Sequence, residues 1–220
     1  MDVKINGKPS FSHLEVTLNP GETFITESGA MASMDKGIDL KAKLNGGIFK
    51  ALLKKIFGDE SLFINEFTNK STLAQKLIVT TPNPGDLCEY IVDNRPLILQ
   101  AGAFVAADST VQINVEWGGI HSMIAKTGLF RLRVTGQGRV WFASYGASIE
   151  KEVNGDFIID NGHIVGFSPS LALKTRMSGG LISTFTSGEG LVAEFKGQGK
   201  VFVQSRSEGG MLNWVNPLLP

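Results

Sequence analysis

Residues 130–142 read FRLRVTGQGRVWF, and this stretch indicates the fold class. Apolar and basic side chains alternate over its first five residues, so that one set faces a core and the other faces water. The GQG segment at 136–138 is typical of a turn, and a β-branched and aromatic run follows it. Residues 191–203, LVAEFKGQGKVFV, repeat this arrangement. The sequence therefore predicts an all-β fold, a sandwich or barrel of short strands joined by glycine-rich turns.

Three kinds of landmark recur along the chain at nearly constant spacing. They are a turn that carries an acidic residue, a glycine after the next strand, and a Gly-Gly pair 16 or 17 positions beyond that glycine. The three sets are 19–22, Gly29 and 46–47; 83–86, Gly102 and 118–119; and 154–156, Gly162 and 179–180. We interpret them as three divergent copies of one unit, which pack as a single domain over residues 1–220. The approximate bounds of the copies are 14–80, 81–150 and 151–210.

The amino-acid composition indicates which binding partners are disfavoured and which cellular compartment is expected. The 220 residues include 21 Lys and Arg and 21 Asp and Glu, so the net charge gives no long-range attraction for nucleic acid. Cys88 is the only cysteine, which excludes an intramolecular disulfide and fits a reducing compartment. The sequence starts with no secretory signal pattern, and its apolar runs are too short to span a bilayer. We expect a soluble, cytoplasmic protein.

Residues 48–57, IFKALLKKIF, carry the one convincing helical pattern of the sequence. On a helix, its apolar side chains fill one half and its lysines the other, which predicts a short amphipathic helix. We favour a helix that covers an open end of the β-core. The alternative is docking on a partner or on a membrane surface. The side chains of that candidate surface are Phe49, Lys50, Leu52, Leu53, Lys54, Lys55, Ile56 and Phe57.

No catalytic or metal-binding pattern emerges from the sequence. His13, His121 and His163 fall in different copies, without the spacing of metal ligands. His163 is the best single polar candidate, because the corresponding position in the other copies is alanine, although a structural turn residue is favoured. Cys88 has no neighbouring base, and each GQG segment lacks the helix that a phosphate loop requires. We therefore expect no enzyme activity, no metal, no nucleotide and no cofactor.

The order of the landmarks is similar to that of one known family. The matching residues include ESGAM at 27–31, QAGAF at 100–104, and the segments 160–165 and 197–206. On these motifs, spread over nearly the whole chain, the sequence resembles the altered-inheritance-of-mitochondria protein 24 family of bacterial and fungal proteins. The resemblance implies a β-sandwich or double-stranded β-helix fold, similar to that of the tryptophan RNA-binding attenuation protein, and assembly into homo-oligomers. It implies no reaction.

The leading hypothesis is a non-enzymatic scaffold or binding protein that acts as a homo-oligomer, with a trimer expected first. One alternative is a small-molecule-binding module with a pocket between sheets, and another is peripheral membrane association through the 48–57 helix. RNA binding rests on fold analogy and on a small basic group, Arg131, Arg133 and Arg139. The apolar tail at 211–220 is expected to pack on the core or across a subunit boundary.

Overall fold

The computed structural model describes residues 1–44, 63–117, 130–177 and 191–219. Several predicted features lie outside these residues, and the prediction of each therefore stays a prediction. They are the 48–57 helix, its candidate surface, His121, and the Gly-Gly pairs at 46–47, 118–119 and 179–180.

The first part of the chain forms strands of four to seven residues. They are β1 (Asp2–Asn6), β2 (His13–Leu18), β3 (Thr23–Glu27), β4 (Met31–Met34), β5 (Ile38–Leu44), β6 (Phe63–Asn69) and β7 (Gln75–Val79). We call residues 13–79 the first stretch. Side chains of β2 alternate strictly between half-buried and buried, so every second one lies in the core.

Residues 85–145 are the second stretch, and 148–204 are the third. The second contains β8 (Gly85–Ile91), β9 (Leu97–Gln100), β10 (Phe104–Asp108), β11 (Val111–Trp117), β12 (Phe130–Gly136) and β13 (Arg139–Tyr145). The third contains β14 (Ser148–Asp160), β15 (Ile164–Phe167), β16 (Ala172–Met177) and β17 (Leu191–Gln204). A short helix, α1 (Glu208–Val215), follows.

The strands form three sheets. Their orders are β1-β2-β7-β4, β5-β6-β3-β10-β13-β8, and β11-β12-β9-β15-β17-β14, with β16 also paired to β17. The second and third sheets each combine strands from two successive stretches, so the stretches are joined by the sheets themselves. The all-β prediction is confirmed.

The three stretches share their strand pairings. The hairpins β5–β6, β11–β12 and β16–β17 take the same place in each, and so do the pairs β3–β6, β9–β12 and β14–β17. One irregularity is also shared, because β4–β7, β10–β13 and β15–β17 each skip one residue. The skips lie between Met31 and Ser33, between Phe104 and Ala106, and between Ile164 and Gly166. These pairings define equivalent positions in the three stretches.

Three apolar clusters form the core, one between the first and second sheets, one between the second and third, and one within the third sheet, and each contains an aromatic pair. Ring centroids lie 5.3 Å apart in Phe24–Trp141, 5.0 Å in Phe142–Phe202 and 5.1 Å in Phe167–Phe195. Tilted and edge-on pairs at these distances add to the stabilisation from buried apolar area. The second sheet contributes side chains to two clusters, and so does the third, so both are buried on both faces.

The two GQG segments differ in structure. At 136–138 the segment joins β12 to β13, as predicted, and Gly136 has φ +100°. At 197–199 the predicted hairpin turn is wrong, and so is the turn predicted at 154–156. Both segments lie inside the long strands β17 and β14, which stay paired throughout, with Gly155 opposite Gly197. Those two glycines have φ +111° and +120°, a conformation that lets both strands bend without interrupting their pairing.

Candidate functional site: two unpaired strand edges and a cavity

Strand β4 is paired along one edge only within the described residues, and its partner there is β7. Its sequence is Met-Ala-Ser-Met, all four residues are exposed, and none is charged. Met31 and Met34 expose 37% and 38% of their surface. Proteins commonly protect a free edge with charge, proline or a covering element, because its open N–H and C=O groups pair readily with another strand. Apolar residues occupy both ends of β4.

The second half of β14, residues 156–160, is also paired on one side only among the described residues, to β17. Phe157 and Ile159 pack against an apolar cluster, whereas Ile158 points to the opposite face and is 51% exposed. Among the described residues, these two edges, one from the first stretch and one from the third, are each unpaired on one side, and both carry exposed aliphatic side chains.

Strands equivalent to these two edges pair with each other inside the chain. Strand β3 pairs with β10, with Ile25 opposite Ala107, and β9 pairs with β15, with Ile98 opposite Phe167. These four side chains are 9%, 0%, 5% and 4% exposed. Ile158 is equivalent to Ile25 and Ile98, because it holds the same place in the β14–β17 pair. Met34 is equivalent to Ala107 and Phe167 by the shared skip.

A cavity of about 410 Å³ lies where the first and second stretches meet. Glu27, at the end of β3, lines it together with the turn at 28–30 and residues 80–83. Burial raises the pKa of Glu27 to about 7. The carboxyl group has no hydrogen-bond or ion-pair partner among the described residues. Sequence reasoning noted this glutamate only as part of a family motif.

His163, the polar residue selected from sequence, lies in a 3₁₀ turn at 161–163. Its Nδ1 is 2.7 Å from the backbone oxygen of Gln204, and the Asp160 carboxylate accepts a hydrogen bond from the Gly162 N–H at 2.7 Å. These contacts hold the turn against the last strand, which supports the structural interpretation of His163.

The arginines of the suggested basic group are engaged within the protein. Arg133 forms an ion pair with Glu116, and Arg139 forms one with Asp108 at 3.1 Å. The Arg131 guanidinium lies 5.4 Å from the ring centre of Phe167, and burial lowers its pKa. RNA binding gains no support from this arrangement.

The structure also bears on thiol reactivity, metal binding and membrane-spanning helices, none of which the sequence predicts. Burial raises the pKa of the Cys88 thiol, which disfavours the reactive thiolate. Within the described ranges, no cluster of three or more His, Cys, Asp or Glu residues has a geometry that could hold a metal ion. No helix among the residues that the structure covers is long and apolar enough to cross a membrane.

The tail contains the helix α1, which the sequence analysis did not predict. The sequence signal that could have indicated this helix is Ser207. Its hydroxyl caps the N-terminus by accepting a hydrogen bond from the Gly210 N–H. No residue of α1 is buried, and Leu212 and Trp214 are 51% and 71% exposed. The helix is therefore not buried in the core, although the Tyr145 hydroxyl contacts Met211 Sδ at 3.0 Å and the Asn83 amide donates to Glu208 at 2.9 Å. Packing across a subunit boundary stays a prediction.

Comparison with known proteins gives the family. The chain is 28% identical over 215 residues to the uncharacterized protein M6_Spy0233 of Streptococcus pyogenes serotype M6, covering 93% of this chain and 86% of that protein. It is also similar to the crystal structure of protein SPYM3_0169 from Streptococcus pyogenes, with a TM-score of 0.81, 26% identity and 99% coverage of both chains. The family model described as mitochondrial biogenesis AIM24 matches residues 3–206. The chain belongs to the AIM24 family.

Proposed function

We propose that this protein is a non-enzymatic scaffold or binding protein that works as a homo-oligomer, and that its copies join head to tail. The second half of β14 in one copy pairs with β4 of the next. The observation that carries this proposal is the match between the two free edges, since strands of the same two kinds already pair twice within the chain. A further copy therefore supplies to each edge the neighbour that its internal equivalents have.

The proposed assembly treats the three stretches as copies of one unit. An open row of three such units necessarily leaves one edge of each kind unpaired. The internal pairs then fix the register between protein copies, because Ala106 lies opposite Thr26 and Ala107 opposite Ile25. Transferred to the free edges, this register puts Met34 opposite Ile158 of the neighbour.

The energetics favour pairing of these edges over their exposure to water. The equivalent internal side chains are nearly inaccessible, so the same packing would bury most of the exposed surface of Met34 and Ile158. Burial of apolar area contributes about 25 cal/mol per Å². The new main-chain hydrogen bonds add directionality, as they do when a peptide adds a strand to a sheet.

The contact is heterologous, because two different edges meet. Contacts of this kind form a ring where the rotation closes and a filament where it does not. We expect a closed trimer first. Such a trimer would place nine equivalent units in one ring. The exposed face of α1 is then available to pack against a neighbouring copy.

Size-exclusion chromatography with light scattering tests the proposal. The wild-type protein should elute as a homo-oligomer, and Met34→Lys should reduce the mass to that of one chain, because a charge is then placed on the pairing edge. Lys4→Glu is the control, since this exposed residue lies on β1, away from both edges. A wild-type mass of one chain at micromolar concentration contradicts the proposal, and so does a Met34→Lys variant that keeps the wild-type mass.

A further inference from the structure

The cavity beside Glu27 lies where two residues differ between equivalent junctions. Where the second and third stretches meet, the Gln204 amide bridges the junction. It donates to the Gly162 carbonyl at 2.9 Å and accepts from the Tyr145 N–H at 3.0 Å. At the junction between the first and second stretches, Ala143 is equivalent to Gln204 and Pro82 to Tyr145.

Both replacements remove part of that bridge. Alanine has no amide to span the gap, and proline has no backbone N–H to donate. Gly102, the equivalent of Gly162, lines the resulting cavity together with Ala143 and Pro82. The cavity of about 410 Å³ therefore includes the place that a side-chain amide occupies one junction further along the chain.

Glu27 is the only charged residue among those that line this cavity in the described part of the chain. Its carboxyl is half-buried and makes no hydrogen bond or ion pair there. The equivalent carboxylate of the third stretch, Asp160, instead caps its own turn through the Gly162 N–H. A half-buried carboxylate without a partner is costly, and the pKa of Glu27, raised to about 7 by burial, reflects that cost.

We propose that this cavity is a binding site for a small organic cation, an alkylammonium or alkylguanidinium group attached to a short apolar chain. The cationic nitrogen donates hydrogen bonds to the Glu27 carboxylate. The alkyl part lies against Pro82, Val105 and Ala143, which supply apolar wall. Thr80 and Thr81 line the polar part of the cavity. Ligand pockets commonly combine apolar walls with a few polar groups that fix orientation.

The chemistry of the site makes the charge of the ligand decisive. A charge-assisted hydrogen bond from an ammonium group to a carboxylate is roughly twice as strong as a neutral one. An alcohol of the same length keeps the apolar contact but loses the charge, and a carboxylic acid of that length is repelled by Glu27. The cavity should therefore discriminate by charge among molecules of one shape.

Isothermal titration calorimetry with n-butylammonium, 1-butanol and butyrate tests the proposal on the full-length protein at about pH 8, where Glu27 is ionised. We expect n-butylammonium to bind with a dissociation constant on the order of millimolar, as suits so small a ligand. The affinity for 1-butanol should be at least about tenfold lower. Absence of n-butylammonium binding to the wild-type protein, or equal binding of 1-butanol, overturns the proposal.

Two variants separate the site from nonspecific binding of amines. Glu27→Gln should weaken n-butylammonium by about tenfold or more while leaving the folded state intact. Ala143→Gln should also weaken it, because the new side chain takes up part of the cavity without changing Glu27. Glu89→Gln, an exposed carboxylate on β8 outside the cavity, is the matched control and should bind like the wild-type protein. Binding that is unchanged in both Glu27→Gln and Ala143→Gln would also overturn the proposal. Thermal unfolding of each variant confirms that it is folded.

Discussion

The internal strand junctions and the two outer edges place equivalent residues in opposite environments. At the junctions, Ile25 meets Ala107 and Ile98 meets Phe167, and all four side chains are almost inaccessible to water. At the outer edges, the equivalent residues Ile158 and Met34 are 51% and 38% exposed. This difference favours the proposed pairing between copies, which would give Ile158 and Met34 the neighbours that their internal equivalents have.

The largest effect is expected from a charge at an internal junction. Ala107→Lys puts an ammonium group into a fully buried site on β10, within an apolar cluster and opposite Ile25. We expect the loss of about 4 kcal/mol or more in the free energy of unfolding, or failure to fold. Urea denaturation measures it.

The matched change at the outer edge sharpens the comparison. Met34→Lys should cost the isolated chain less than about 0.5 kcal/mol, because the side chain remains in water. If Met34→Lys destabilises the chain as much as Ala107→Lys does, the two places are not different environments and the comparison fails.

A close approach between strands gives the next largest effect. A Cβ atom added at Gly166 would lie 2.8 Å from the backbone oxygen of Ile98 and 2.7 Å from the Leu99 side chain. Gly166→Ala must push β15 away from β9, so we expect a loss of about 1 to 3 kcal/mol in unfolding free energy. Gly209→Ala is the control, because nothing lies within 4 Å of a Cβ there. Equal stability of the two variants in chemical denaturation would show that this junction tolerates separation.

A smaller, pH-dependent effect is expected at Glu27. Its folded-state pKa is raised from 4.5 to about 7, so the folded chain holds this proton more tightly than the unfolded chain does. Stability is therefore unaffected by this group below about pH 4.5, falls as the pH rises toward 7, and stays lowered above that.

Glu27→Gln removes the ionisable group and so removes that loss. We expect the variant to gain about 1 to 2 kcal/mol over wild type at pH 8, after allowance for solvent screening, and little at pH 4. Unfolding curves at both pH values provide the measurement, with Glu89→Gln as control. A gain of the same size at both pH values would mean that the carboxyl is not held in an unfavourable environment.

Much of the fold was accessible from the sequence, because period-two alternation is a local property. In β12, Phe130, Leu132 and Val134 are buried while the two arginines between them are half-buried, as the alternation predicts. The GQG segments at 197–199 and 136–138 have the same sequence, so sequence alone could not distinguish their structures. The two segments differ in their partner strand, because β14 continues through Gly155 and stays paired with β17 there. The structure of 197–199 therefore depends on residues outside that segment.

The candidate site was less accessible, for a related reason. Ile158 and Met34 look like ordinary strand residues, and only the strand pairings of the described residues reveal that their equivalents are covered. Residue-by-residue alignment of the three stretches beyond the shared glycines would have put Glu27 beside Gln100 and Asp160. That alignment was the available signal for the cavity, although the empty space itself depends on Ala143 and Pro82.

The most direct test of the account is a disulfide between two copies across the proposed edge. With Cys88 replaced by serine, one preparation carries Ser33→Cys and another carries Ile159→Cys, residues that the internal register places opposite each other. Opposed residues in antiparallel strands lie about 4.5 to 5.5 Å apart at Cα, within reach of a disulfide. Ile149→Cys, on the first half of β14, is the control for Ile159→Cys. We expect a cross-linked dimer on oxidation of the Ser33→Cys and Ile159→Cys mixture, and much less with Ile149→Cys. Equal cross-linking of both mixtures, or none with Ile159→Cys, would contradict it.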